Sequence, residues 1–200
     1  NFSENAGGGI SIVHPNYNPS DITNLNSVFI EGMQANTNGG SGINLQGVAL
    51  ASISGTVIQG TKGQVSEGDA GTGLLLEDSS ISMNSTYIGG NEGAGIKAAN
   101  SSFVLGSAST SLHGLRNTAQ EGLSIVHPNY YPTNSVENNG GGGIYLYGAS
   151  SSNAGKADGH LGGETSIDSA LIQNNVGYGL EVECLNMQIS NTLIQGTQAP

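Results

Sequence analysis

The sequence predicts an all-β fold: a right-handed parallel β-helix of about seven coils, with three short strands in each. Three observations predict it. A glycine followed by alternating aliphatic residues recurs along the chain. Further aliphatic pairs follow each of these segments at constant offsets. An asparagine stands four residues before several of the glycines.

The recurring segment reads GISI at Gly9, GINL at Gly42, GLLL at Gly73, GIKA at Gly95, GLSI at Gly122, GIYL at Gly143 and GLEV at Gly179. Alternation with period two marks a strand with one buried face. Ile10, Ile43, Leu74, Ile96, Leu123, Ile144 and Leu180 are thus expected to form one interior column. Ile12, Leu45, Leu76, Ala98, Ile125, Leu146 and Val182 are expected to form a second. Ile81 and Met83 follow Leu74 by seven and nine residues. Phe103 and Leu105 follow Ile96, and Met187 and Ile189 follow Leu180, at the same offsets. These make the second strand. Thr86 and Ile88, then Thr192 and Ile194, mark the third. Three strands in the shortest spacing, 21 or 22 residues, make one turn of a coil. Parallel crossovers are right-handed as a rule, which sets the expected hand. The turn that closes each coil repeats an apolar residue, Asn, Gly and an aliphatic at fixed spacing. It occurs at Phe2, Asn5 and Gly9, at Ile88, Asn91 and Gly95, at Val136, Asn139 and Gly143, and at Ile172, Asn175 and Gly179. Asn tolerates a left-handed backbone and caps neighbouring groups with its amide, and stacked Asn side chains would bond along the axis. Gly permits the next reversal and close approach of coils.

Composition supports an extended solenoid and excludes several classes. Thirty-three glycines without a three-residue period exclude collagen. Disorder would leave the constant aliphatic offsets without a cause. Four basic residues face fifteen acidic ones, a formal charge of -11. This argues against nucleic acid and anionic membranes as partners, and against a polyanionic substrate. No apolar run reaches the roughly eighteen residues of a membrane-spanning helix, so no direct membrane insertion is expected. Cys184 is alone, so no disulfide framework or cysteine metal site is predicted. The chain starts at Asn1 inside a motif used again later, and reads as a piece of a longer or processed protein. Residues 1–200 are expected to form one domain, with excursions near 14–20, 61–70, 107–121 and 148–164.

The Asn-x-x-x-Gly-aliphatic turn with three strands per coil resembles the right-handed parallel β-helix superfamily, the pectin-lyase-like fold, over essentially the whole chain. FSEN before GGGI, at Phe2 to Ile10, is also similar to the repeats of polymorphic outer-membrane proteins, which are autotransported surface adhesins. That resemblance implies an extracellular or cell-surface passenger segment, non-catalytic and adhesive. Its partners would be a host or cell-surface protein or glycan, and further β-helix coils of the same longer chain. The superfamily resemblance also implies an alternative, a carbohydrate-binding or carbohydrate-active β-helix acting as a lyase or hydrolase. Its polygalacturonase-like members share Asn-Thr-Asp, Gly-Asp-Asp and Gly-His-Gly segments, and none occurs here. The nearest is DGH at Asp158 to His160.

The residues themselves offer few sites. Hydrolysis needs two carboxylates at set distances, and Asp168 and Glu181 are the alternative catalytic pair. Glu181 and Glu183 lie on one outward face, where a calcium ion would relieve their repulsion, so they form an alternative metal site. Otherwise no cofactor is expected. The segment SIVHPNY occurs twice, at Ser11 to Tyr17 and at Ser124 to Tyr130. Each copy opens a Pro-bracketed loop, HPNYNP and HPNYYP. Pro keeps the preceding His extended and takes the chain out of the sheet. His14, Tyr17, His127, Tyr130, Tyr131 and Tyr145 are therefore the candidate binding residues, with the tyrosines as stacking groups. One His per loop supplies too few ligands for a metal. Packing at the strand end is the alternative role for both loops.

Overall fold

A computed structural model of the chain describes residues 1–14, 27–48, 50–63, 69, 71–106, 134–147, 165–183 and 187–199. Among the described residues, nineteen short strands form a parallel β-helix. β1 (Phe2–Ser3) precedes six coils. The first holds β2 (Ile10–Val13), β3 (Ser27–Glu31) and β4 (Gln34–Asn36), and the second β5 (Ile43–Gln46), β6 (Leu50–Ser54) and β7 (Val57–Gln59). The third holds β8 (Leu74–Glu77), β9 (Ser80–Asn84) and β10 (Tyr87–Gly89), and the fourth β11 (Ile96–Ala99), β12 (Ser102–Leu105) and β13 (Asn134–Glu137). The fifth holds β14 (Ile144–Tyr147), β15 (Thr165–Asp168) and β16 (Ala170–Gln173), and the sixth β17 (Leu180–Val182), β18 (Met187–Ser190) and β19 (Leu193–Gln195). The first strands of the coils stack into sheet B, the second into sheet C, and β1 with the third strands into sheet A, all in parallel.

Register confirms the two interior columns with one correction. Ile10, Ile43, Leu74, Ile96, Ile144 and Leu180 pair in succession, as do Ile12, Leu45, Leu76, Ala98, Leu146 and Val182. Ile96 pairs directly with Ile144, so neither column has a place for Leu123 or Ile125. Residues 107–133, outside the described residues, run between β12 and β13 of one coil. The expected excursions fall between consecutive strands, largely outside the described residues.

Alternation decides which side chains enter the core. Ile43, Leu45, Ile53, Ile58, Leu74, Leu76, Met83, Ile88, Ile96, Leu105 and Ile144 are fully buried. The core continues along the axis and thins at the last coil, where Val182, Ile189 and Ile194 are 37 %, 50 % and 40 % exposed.

The corners hold this register. At the corner from sheet A to sheet B, side-chain amides bond from coil to coil. Asn91 Nδ2 donates to Asn139 Oδ1 at 2.8 Å, and Asn139 Nδ2 donates to Asn175 Oδ1 at 2.9 Å. Asn5 Nδ2 donates to Asn38 Oδ1 at 2.9 Å, and Asn91 Oδ1 accepts from the Thr61 amide at 3.0 Å. The expected ladder therefore exists, extended by Asn38 and Thr61. The left-handed residue is not the ladder Asn but its predecessor. Glu4, Thr37, Gly60, Gly90, Asn138, Asn174 and Gly196 all have φ between 54° and 65°. A hydroxyl and a side-chain amide do similar work at the other corners. The Ser79 amide donates to Ser101 Oγ at 3.1 Å between sheets B and C, and the Thr86 amide to Asn134 Oδ1 at 3.1 Å between sheets C and A.

The recurring glycine is explained by the same ladder. A Cβ on Gly95 would meet Val136 Cγ1 at 2.5 Å, Asn139 Nδ2 at 2.7 Å and Gly143 O at 2.8 Å. Gly9, Gly73 and Gly143 face the next coil's Asn in the same way. These glycines do not have positive φ, so they serve close approach and not the chain reversal assigned to them from sequence.

Two outcomes test this account. Gly95→Ala is expected to destabilise by about 1–3 kcal/mol through overpacking, read from urea denaturation. Asn91→Ala leaves the buried Thr61 amide without its partner and Asn139 Oδ1 with only the Asn91 main-chain amide at 3.3 Å. It is expected to cost about 1–3 kcal/mol, and an unchanged melting temperature would remove the ladder from the stability argument.

Candidate functional site

Outward side chains on a solenoid stack in columns as regularly as inward ones. On sheet B one outer column runs Ser11, Asn44, Leu75, Lys97, Tyr145 and Glu181, and the next runs Val13, Gln46, Glu77, Ala99 and Tyr147. Amide and carboxylate groups cross-link the early coils, as where Gln46 Nε2 donates to Glu77 Oε2 at 3.0 Å. The later coils carry aromatic groups instead. Tyr145 and Tyr147, two apart on β14, stack with ring centroids 5.0 Å apart and 22° between their planes. Lys97 lies one coil earlier, with its Nζ 5.6 Å from the centre of the Tyr147 ring, and it also forms an ion pair with Asp69. The Tyr145 hydroxyl donates to Glu183 Oε1 at 3.0 Å.

That hydrogen bond, then desolvation, then the negative charges of Glu183 and Glu181 raise the Tyr145 pKa above its ordinary value. The cluster thus combines two aromatic rings, an ammonium, two carboxylates and a phenol held as a donor, on a backbone fixed by pairing on both sides.

The structure separates the other candidates. Asp168 ends β15 in sheet C, and its Oδ1 accepts from Ser190 Oγ at 2.7 Å and Asn191 Nδ2 at 2.9 Å. It holds the corner that leads to sheet A. Glu181 lies on the outer face of sheet B, so the two members of the alternative catalytic pair stand on different sheets. Glu181 and Glu183 do share a face, but no third His, Cys, Asp or Glu joins them among the described residues. Two carboxylates fall short of the six to eight oxygens that calcium takes, and one of them already receives the Tyr145 phenol. His14 extends the ladder one step past β2, its amide donating to Gln46 O at 2.9 Å. Its Nδ1 is buried and meets no hydrogen-bond partner among the described residues. Tyr17, His127, Tyr130 and Tyr131 lie outside the described residues, and so does the second SIVHPNY copy.

Of this cluster, sequence reasoning named Tyr145 as a candidate and did not name Tyr147, Lys97 or Asp69. The first two were readable: Tyr147 follows Tyr145 by two on a strand, and Lys97 holds the place after Gly95 that Tyr145 holds after Gly143. Asp69 sits between β7 and β8, where no periodicity places it. Set against protein-family models, curated proteins and solved structures, the chain matches none.

The raised Tyr145 pKa gives a pH test. The neutral phenol is the favoured form, so its bond to Glu183 is kept below the ordinary value of about 10 and lost as pH rises through the raised one. The difference in tyrosinate absorbance between wild type and Tyr145→Phe should therefore titrate above that value. Glu183→Ala should bring the midpoint down.

Proposed function

We propose that this chain is a non-catalytic β-helical segment of an extracellular or cell-surface protein, structural in its core and adhesive on the outer face of sheet B. The observation that carries the reading is the Tyr145–Tyr147 stack, bordered by Lys97, Glu181 and Glu183. Aromatic rings give large contact area at low entropic cost and dominate contact energy where they occur together. The polar rim supplies donors and acceptors that suit a hydroxyl-rich glycan or a polar protein surface. The charge of -11 sets it against polyanions.

Two further features support a scaffold that displays, in preference to an enzyme. Asp168 is engaged in a corner and stands on a different sheet from Glu181. Among the described residues no further strand pairs with the outer edges of β17, β18 and β19, and Val182, Ile189 and Ile194 are partly exposed beside them. Additional coils would continue all three sheets and cover that surface, which fits a longer solenoid.

The test compares wild type, Tyr145→Ala, Tyr147→Ala and the double variant for binding to cells and to a glycan array. Thermal melts establish that each variant is folded. The double variant should lose about tenfold or more in affinity. Absence of binding by wild type, or an equally tight double variant, would overturn the adhesive reading. Turnover of a polysaccharide, lost on Asp168→Asn or Glu181→Gln, would overturn the non-catalytic one.

A further inference from the structure

The sequence contains two Asn-Gly pairs, Asn38-Gly39 and Asn139-Gly140, and both fall on the axial ladder. The fold imposes each half of the pair separately. The Asn is required because it bonds to the coils beside it. Asn139 Oδ1 accepts from Asn91 Nδ2 at 2.8 Å, and its Nδ2 donates to Asn175 Oδ1 at 2.9 Å. The Gly is required because the neighbouring coil leaves no room for a side chain. A Cβ on Gly140 would meet Glu92 O at 2.6 Å, and one on Gly39 would meet Ala6 O at 2.2 Å.

Asn-Gly is also the dipeptide most prone to lose its side-chain amide. The Gly nitrogen, having given its proton to base, attacks the Asn Cγ. A C–N bond forms, the Cγ–Nδ2 bond breaks, and ammonia leaves with a proton from solvent. Water then opens the cyclic imide at either carbonyl, giving aspartate or isoaspartate.

We propose that Asn38 and Asn139 are latent deamidation sites, shielded by the stack and exposed when a coil opens. Every atom of the reaction is restrained in the closed coil. The nucleophile is occupied: the Gly140 amide donates to Asn91 O at 2.8 Å, and the Gly39 amide donates to Asn5 O at 2.8 Å. The electrophile is fixed: Asn38 Oδ1 accepts from Asn5 Nδ2 at 2.9 Å, and Asn38 Nδ2 donates to Phe2 O at 3.0 Å. Both Asn side chains are fully buried, so base and water do not reach them. Either product is incompatible with closure. An aspartate at 139 would turn an acceptor toward Asn175 Oδ1 and bury a charge with no counter-ion among the described residues. An isoaspartate lengthens the main chain by a methylene in a corner whose register is fixed on both sides. Opening that lasts long enough is therefore recorded covalently and becomes irreversible. This inference is independent of any partner on sheet B.

The experiment incubates the 200-residue chain at mildly alkaline pH, folded and in urea, and reads conversion of amide to acid at each site by peptide mass spectrometry. Conversion at Asn139 should be at least about tenfold slower in the folded chain, because reaction must await local opening. After dilution from urea, the fraction that fails to refold should follow the fraction converted. Asn91→Ala, which removes the side chain bonded to Asn139 Oδ1, should speed conversion at Asn139 in the folded chain. Equal rates at Asn139 in folded and unfolded chains, full refolding of converted chains, or no response at Asn139 in a folded Asn91→Ala variant would each overturn the proposal.

Discussion

The side-chain amide ladder at the corner between sheets A and B is the constraint on which the rest of the structure depends. Backbone pairing between parallel strands is compatible with more than one register, since sliding a strand by two residues restores both its hydrogen bonds and its inward face. The ladder removes that freedom. Asn139 bonds to Asn91 on one side and Asn175 on the other, so three coils are aligned at a single point of each. From there the strand that follows begins a set number of residues later, opposite its equivalent in the next coil. The glycine four residues on is then dictated, because a side chain at Gly95 would occupy the space of the Asn139 amide.

Much of this was legible in the sequence because it repeats. A column of Ile or Leu at constant offsets has few explanations other than stacked strands, and the Asn of the turn carried its own spacing. What escaped had physical reasons. Asn38 was overlooked because the residue three before it is Ala35, which is fully buried but too small to announce a strand. Thr61 replaces Asn in the ladder and donates to Asn91 Oδ1 from its main-chain amide and its hydroxyl, so a pattern read from Asn alone conceals it. Leu123 was placed in a column because its local pattern is that of a strand. Only pairing at a distance, Ile96 with Ile144, shows that the position is taken. The left-handed pivots were assigned one residue late, since Glu4 and Thr37 adopt that conformation as Gly60 and Gly90 do, and composition does not distinguish them.

The candidate site was less legible than the fold for a related reason. Inward positions are restricted to apolar residues that fit a column, whereas outward ones are free to vary from coil to coil. Lys97, Tyr145 and Glu181 follow one another at equivalent places with different chemistry, and each is visible only once the coils are aligned. Asp69, which completes the ion pair with Lys97, comes from a connection instead of a strand. The outer surface is therefore assembled from two sources, a lattice that repeats and connections that do not.

The direct pairing of Ile96 with Ile144 has a consequence for how such a molecule measures distance. Leu74 and Ile96 are separated by 22 residues and Ile96 and Ile144 by 48, yet each interval is a single step between adjacent strands of sheet B. Axial position is counted in coils and is indifferent to residue number. The molecule is a ruler whose graduations stay fixed while material is hung between them. A connection can be replaced, lengthened or deleted with the separation between Tyr145 and any other outward residue conserved, so the spacing of what is displayed and the identity of what is displayed can change independently.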